Sequence, residues 1–194
     1  MTESEFFNLA KQGYNRIPVV LETFADLDTP LSIYLKLANL PYSYLLESVR
    51  DGERFGRYSF IGLPASTRIE VRDNSISVIN NQKLERFEVE DPLSFIQSYL
   101  LRFKVAPCSG LPRFCGGLVG YFSYETVRYI ENKLAAHVNP DALDLPDISL
   151  LLSEELIVVD NLSGKLYLII YTNPDIPGAY KETKERLKIL LADL

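Results

Sequence analysis

The sequence is short of the residues that build most catalytic and metal centres. It has one histidine, His137, and two cysteines, Cys108 and Cys115, among 194 residues. A zinc site would have to take both thiols, the single imidazole and a carboxylate, at none of the usual ligand spacings. A Ser-His-Asp triad would need His137, which sits in 134–140, a stretch with the look of an exposed loop. Two thiols are too few for a disulfide scaffold and read as free cysteines of a reducing compartment. A basic surplus is also missing. The 20 Lys and Arg stand against 26 Asp and Glu, a formal charge of −6, which argues against a nucleic-acid footprint. No run of about 18 apolar residues occurs, so no bilayer-spanning helix is expected. Residues 1–10 carry Glu3 and Glu5 and lack the basic start and apolar stretch of a secretory leader. These absences together predict a cytoplasmic chain.

What is present is an ordinary globular mix, 47% apolar and 24% charged. It is apolar enough to bury a core and too apolar for disorder. The length suits one domain or two small ones. No Pro-rich or Gly/Ser-rich linker divides it, so one domain is expected.

Apolar spacing predicts a helix over 3–12, with Phe6, Phe7, Leu9 and Ala10 on its buried stripe and Gly13 as its stop. A β-branched run over 17–24 predicts a strand. Asp28-Thr29-Pro30 opens a second helix, a small polar cap followed by proline, with Leu31, Tyr34, Leu35 and Ala38 at helical spacing. Strands follow over 42–49 and 57–63, separated by the turn Arg50-Asp51-Gly52-Glu53. Segments 67–72, 75–79 and 84–89 alternate apolar and polar residues. They predict a meander with one face buried and one wet, its first turn at Asp73-Asn74.

Asp91-Pro92 opens a helix to about residue 103, with Leu93, Ile96, Gln97, Leu100 and Leu101 on one face. Residues 104–113 read as loop and 116–125 as a glycine-rich strand. A short helix is expected over 126–134 and irregular chain over 139–146. Long strands over 148–159 and 165–172 form a hairpin around 160–164. A last helix covers 178–194 with Tyr180, Thr183, Leu187, Leu190, Leu191 and Leu194 inward. Strands come in runs with helices between the runs, which is an α+β pattern. The last helix runs to the final residue without a capping glycine, so the sequence reads as one that continues.

Few positions suggest chemistry. Leu45-Leu46-Glu47-Ser48 ends an apolar strand in a carboxylate and a hydroxyl, and Gly56-Arg57-Tyr58-Ser59-Phe60-Ile61-Gly62 follows. A few polar groups on an apolar wall are what a small-ligand pocket requires. An amino acid would need an acceptor for its ammonium, donors for its carboxylate and an apolar slot. Successive strand residues face opposite ways, so Glu47 and Ser48 share one pocket only where the strand breaks or bulges. The plainer reading is a solvated strand end. Gly116-Gly117-Leu118-Val119-Gly120 lacks the helix or Lys-Ser/Thr sequel of a phosphate loop and reads as close packing. The charged set Arg50, Asp51, Glu53, Arg54 and Arg57 reads as a solvated turn. Glu88-Val89-Glu90-Asp91 reads as strand end and helix cap.

Four blocks in order carry a resemblance. They are Gln12-Gly13-Tyr14-Asn15-Arg16-Ile17-Pro18 leading to Thr29-Pro30-Leu31, then Leu45-Leu46-Glu47-Ser48, then Gly56 to Gly62, then Gly116 to Phe122. The chain resembles the N-terminal part of anthranilate synthase component I, from about Phe7 to Leu194. The resemblance implies a layered sandwich of two orthogonally packed antiparallel sheets flanked by helices. It implies a lyase that turns chorismate and ammonia or glutamine into anthranilate and pyruvate, in tryptophan biosynthesis. A glutamine amidotransferase partner supplies the ammonia, and the chorismate site needs Mg²⁺. The catalytic and Mg²⁺-binding residues belong to a C-terminal region expected to follow Leu194. This portion is therefore a regulatory domain over 1–194, expected to be inactive alone, and no catalytic residue carries over to it.

What carries over is the feedback site for L-tryptophan, lined in the family by the Leu-Leu-Glu-Ser tetrapeptide. It maps to Ser48 as a hydroxyl at the ligand's polar end, Glu47 as an acceptor near the ammonium or an anchor for the loop, Leu46, and Arg57 on the following strand. An uncovered apolar face in such a portion would favour a homo-oligomer. Two alternatives stay open: component I of aminodeoxychorismate synthase, and a stand-alone amino-acid sensor.

Overall fold

The computed structural model describes residues 1–50, 54–131, 133–134 and 143–194, and their side chains except those of 48–50 and 54–55. The turn expected at 50–53 and His137 fall largely or wholly outside the described residues. The packing forms two compact units, Met1–Ala65 with Phe103–Gly117 and Ser153–Leu194, and Ser66–Arg102 with Leu118–Leu152. The chain passes between them four times, at strand ends and loops, which is why no linker composition marks the boundary.

The first unit is built on a five-stranded sheet in the order β1-β10-β9-β3-β2. Its strands are β1 (Ile17–Phe24), β2 (Tyr44–Arg50), β3 (Arg54–Gly62), β9 (Glu155–Asp160) and β10 (Lys165–Thr172), and all neighbours are antiparallel. The central strand β9 is apolar on both faces. Ile157 and Val159 enter one core with Ile17, Val19, Ile61, Leu166 and Leu168. Leu156 and Val158 enter another with Ile169, beneath Phe60, Phe114 and Tyr171. This continuous burial explains the run Leu156 to Val159, where period-two alternation is absent.

Helices α1 (Glu3–Lys11), α2 (Pro30–Leu37) and α4 (Ala179–Ala192) belong to this unit. Thr2 and Thr29 close reciprocal capping boxes with Glu5 and Ser32 at the starts of α1 and α2. Pro30 adds its fixed φ where an amide donor is not needed. The buried side of α2 differs from the one its spacing suggests. Ile33 and Ala38 are buried and Tyr34 and Leu37 pack beside them, whereas Leu31 and Leu35 are exposed. The segment is apolar nearly all round, so two stripes compete and spacing alone cannot choose. Phe7 is likewise exposed, standing edge-on against the buried Phe6.

The second unit carries β6-β5-β4-β8-β7, formed by β4 (Thr67–Arg72), β5 (Ser75–Asn80), β6 (Lys83–Glu88), β7 (Gly117–Phe122) and β8 (Ile148–Ser153). Ile69, Val71, Ile76, Val78, Ile148 and Leu150 are its buried row, the one-sided burial that alternation predicts. Asp73 takes a positive φ of 49° in the first hairpin turn. Helix α3 (Pro92–Leu100) is shorter than expected and buries Ile96 and Tyr99, with Leu101 exposed past its end. The helix expected over 126–134 is a 3₁₀ segment, Tyr124–Tyr129. There Tyr129 donates to Asp147 (2.7 Å), which also accepts the Asp73 amide (2.9 Å).

The long strand expected over 148–159 is two strands, β8 and β9, in different sheets. The break falls at Glu154, whose carboxylate takes the Arg16 guanidinium at 2.7 Å. Gly120 is required by packing, because a Cβ there would run into the Ser149 carbonyl oxygen. That agrees with the packing role read for this glycine run. The architecture is α+β, two antiparallel sheets with helices.

Candidate functional site

The candidate site lies in the first unit, where β2 and β3 lose step. Leu45 pairs with Ile61, Leu46 with Phe60 and Glu47 with Ser59; the next pair is Val49 with Phe55. One residue of β2, Ser48, thus faces three of β3, Gly56, Arg57 and Tyr58. Sequence spacing required such an irregularity if Glu47 and Ser48 were to serve one pocket.

Beside this irregularity is a cavity of about 520 Å³, within the range of small-molecule sites. Thr29, Pro30 and Leu31, at the start of α2, form one wall. Glu47, Gly56 and Arg57 form the second, and Asn161 and Leu162 of the β9–β10 turn the third. The apolar contribution comes from Pro30, Leu31 and Leu162, all surface residues by ordinary solvent exposure or intermediate burial.

Arg57 is anchored. Its Nη2 is 3.1 Å from Oδ2 of Asp160, and its Nε lies 3.3 Å from Oδ1. Asp160 is almost wholly buried and also accepts from the amides of Leu162 (3.1 Å) and Ser163 (3.4 Å). Burial pushes its carboxyl up, but the Arg57 guanidinium and the two amides outweigh this and hold it below the ordinary value. Asn161 donates its side-chain amide to the Gly56 carbonyl (2.9 Å) and the Ser59 hydroxyl (3.1 Å), and its backbone N–H to the Arg57 carbonyl (2.8 Å). Glu47 is exposed and, among the described residues, pairs with no cation.

Of the residues singled out from sequence, Glu47 and Arg57 line the cavity. Ser48 lies at the register slip, and its side chain is outside the described residues. Leu46 does not line the cavity. It alternates to the face of β2 opposite Glu47 and is 45% exposed, as period-two geometry demands. Sequence reading missed Asp160, Asn161 and Leu162, which appeared only as a hairpin turn. Their neighbour Arg57 is about a hundred positions away, and no local signal joins them. A second cavity of about 370 Å³ lies between α1 and the chain entering α4; its charged lining residues Glu3, Asp175 and Lys181 are all exposed.

Among the described residues, no group of three or more carboxylate, imidazole or thiol side chains could hold a metal ion. No described helix is long and apolar enough to cross a membrane.

No family model matches the chain. Over its whole length it is 51% identical to anthranilate synthase component 1 of Pseudomonas aeruginosa and 51% identical to that of Pseudomonas putida, covering 40% of each. It is 37% identical to anthranilate synthase component 1 of Aquifex aeolicus, over 91% of this chain and 36% of that protein. The chain thus spans about two fifths of the length of these curated relatives. The crystal structure of anthranilate synthase component I from Streptococcus pneumoniae matches with a TM-score of 0.53 at 22% identity, over 86% of this chain and 35% of that one. That likeness shows a shared fold.

Proposed function

Because the chain belongs with the N-terminal region of anthranilate synthase component 1, we propose that it is the part of such an enzyme that senses L-tryptophan and restrains anthranilate synthesis. The whole enzyme would convert chorismate to anthranilate and pyruvate, a lyase reaction in the cytoplasm. A glutamine amidotransferase subunit would deliver the nitrogen. The catalytic residues and the Mg²⁺ ligands would lie outside these 194 residues, and this portion would bind the inhibitor without turning over substrate.

One observation supports the reading. The cavity brings Glu47 and Arg57, opposite in charge and on neighbouring strands, together with apolar Pro30, Leu31 and Leu162. An α-amino acid presents an ammonium, a carboxylate and a side chain. Glu47 accepts from the ammonium, Arg57 donates to the carboxylate, and the apolar residues receive the side chain. Ser48, next to Glu47 at the register slip, adds a hydroxyl at the polar end. Feedback then requires that the ligand bind the less active arrangement of the enzyme more tightly, by at least the factor through which it lowers activity.

The chain has no tryptophan of its own, so the fluorescence of added L-tryptophan reports binding directly. Saturable binding is expected, weakened about tenfold or more in Glu47→Gln, the effect of losing a charge-assisted hydrogen bond. Binding unchanged in that variant, or none by the wild-type chain, would overturn the proposal.

A further inference from the structure

We infer that Asp160 and Asn161 are positioning residues of this cavity. Asp160 fixes the Arg57 guanidinium and Asn161 fixes the widened stretch of β3, so that the remaining N–H groups of Arg57 meet the carboxylate of an α-amino acid. This rests on the reading of the cavity as an amino-acid site and adds the residues that act on it from behind.

Asp160 closes β9 and receives two backbone amides through Oδ1 as the chain turns toward β10. The turn therefore has its own hydrogen bonds without Arg57. The guanidinium meets the same carboxylate along its Nε–Nη2 edge, Nη2 on Oδ2 and Nε between the two oxygens. A guanidinium carries five N–H donors in a rigid plane. With that edge held by Asp160, the two donors of Nη1 and one of Nη2 have no partner among the described residues.

The Arg57 side chain is 56% exposed against 4% for Asp160. A pair that open to water contributes little to stability. Its effect is on orientation, since a planar fork gripped at one edge can point its other edge in few directions.

Asn161 acts on the backbone of the same stretch. Its amide and its side chain together bind the carbonyls of Arg57 and Gly56 and the hydroxyl of Ser59. These are residues of β3 that lie at or beside the place where pairing with β2 slips. The widened stretch has lost ladder partners on the β2 side, and Asn161 replaces them from the β9 side. Without that tether the Arg57 Cα would be free to shift, and the carboxylate-binding edge with it.

The test compares two ligands, L-tryptophan and L-tryptophanamide, whose carboxylate is replaced by a neutral amide. The wild-type chain is expected to prefer the acid about tenfold, the value of one charge-assisted contact. Asp160→Asn keeps an acceptor for the Leu162 and Ser163 amides but releases Arg57. Asn161→Asp keeps the size of the side chain but removes its donor. In both, affinity for tryptophan should fall while affinity for the amide stays, so that the preference drops toward one, with each variant still showing a cooperative melting transition. A purely structural role would weaken both ligands alike.

Wild-type preference retained in both variants would overturn the inference. If Glu47→Gln weakens tryptophan binding in the same series, the amino-acid reading survives that failure. A wild-type chain that binds neither ligand would overturn the reading and the inference together.

Discussion

The ring of Tyr44 lies against Gly62, its partner across β2 and β3, and its hydroxyl is 2.7 Å from that of Ser153. A Cβ at position 62 would fall inside the Tyr44 ring. Gly62→Ala is therefore expected to destabilise the chain by about 1–3 kcal/mol, the usual cost of overpacking. Urea unfolding measures it. Tyr44→Ala in the same chain should recover part of that loss, and a cycle showing no coupling would disprove the contact.

Helix α2 offers a contrast two positions apart. Ile33 is fully buried, and Ile33→Ala should cost about 2–5 kcal/mol. Leu31 lines the cavity from a 54% exposed position, so Leu31→Ala should change stability by less than about 0.5 kcal/mol yet weaken tryptophan binding. Calorimetry of both variants, with and without ligand, separates the two roles.

Acid should expose the contribution of Asp160. Its carboxyl is held below the ordinary value of 3.8 in the folded chain. The group therefore adds stability at pH above that value and loses it as pH falls through the lower folded-state value. Asp160→Asn lacks this term. The wild-type advantage in melting temperature, present near neutrality, should shrink as pH drops below about 4; an advantage that grows in acid would refute the assignment.

Alkali should find Tyr44, Tyr129 and Tyr171 slow to ionise. Burial pushes Tyr44, Tyr129 and Tyr171 up, reinforced at Tyr129 by Asp147 and at Tyr171 by Cys115. Their raised values add stability below about pH 10 that is lost as pH climbs past it. Ultraviolet titration should show these phenolates appearing only as the chain unfolds. Ionisation of these three in the folded state at ordinary phenol values would contradict the structure.

Much of the fold was legible because local rules sufficed. The span of β1, the caps at Thr29-Pro30 and Asp91-Pro92, and the alternation of β4 and β5 need only nearest neighbours along the chain. The break at Glu154 was not, because the apolar run on either side reads as one strand and the deciding partner, Arg16, lies far away in sequence. The inward face of α2 was hidden by its surplus of apolar residues. In the site, Glu47 and Arg57 were visible as polar residues on apolar strands, and the need for a slip near Ser48 followed from alternation. Asp160 and Asn161 looked like any hairpin turn, since what distinguishes them is what they hold across the sheet.

Among the described residues, strand β1 is at the edge of its sheet and its one strand neighbour is β10, paired from Ile17 with Thr172 to Phe24 with Lys165. During synthesis the partner emerges roughly 150 residues later, a wait on the order of ten seconds at ordinary translation rates. Through that interval Ile17 to Phe24, rich in Val, Ile and Leu, has an open backbone ladder and nothing to pair with. Slowing the ribosome between the two strands should therefore lower soluble yield more than the same pause placed before β1, an effect invisible in the stability of the finished chain.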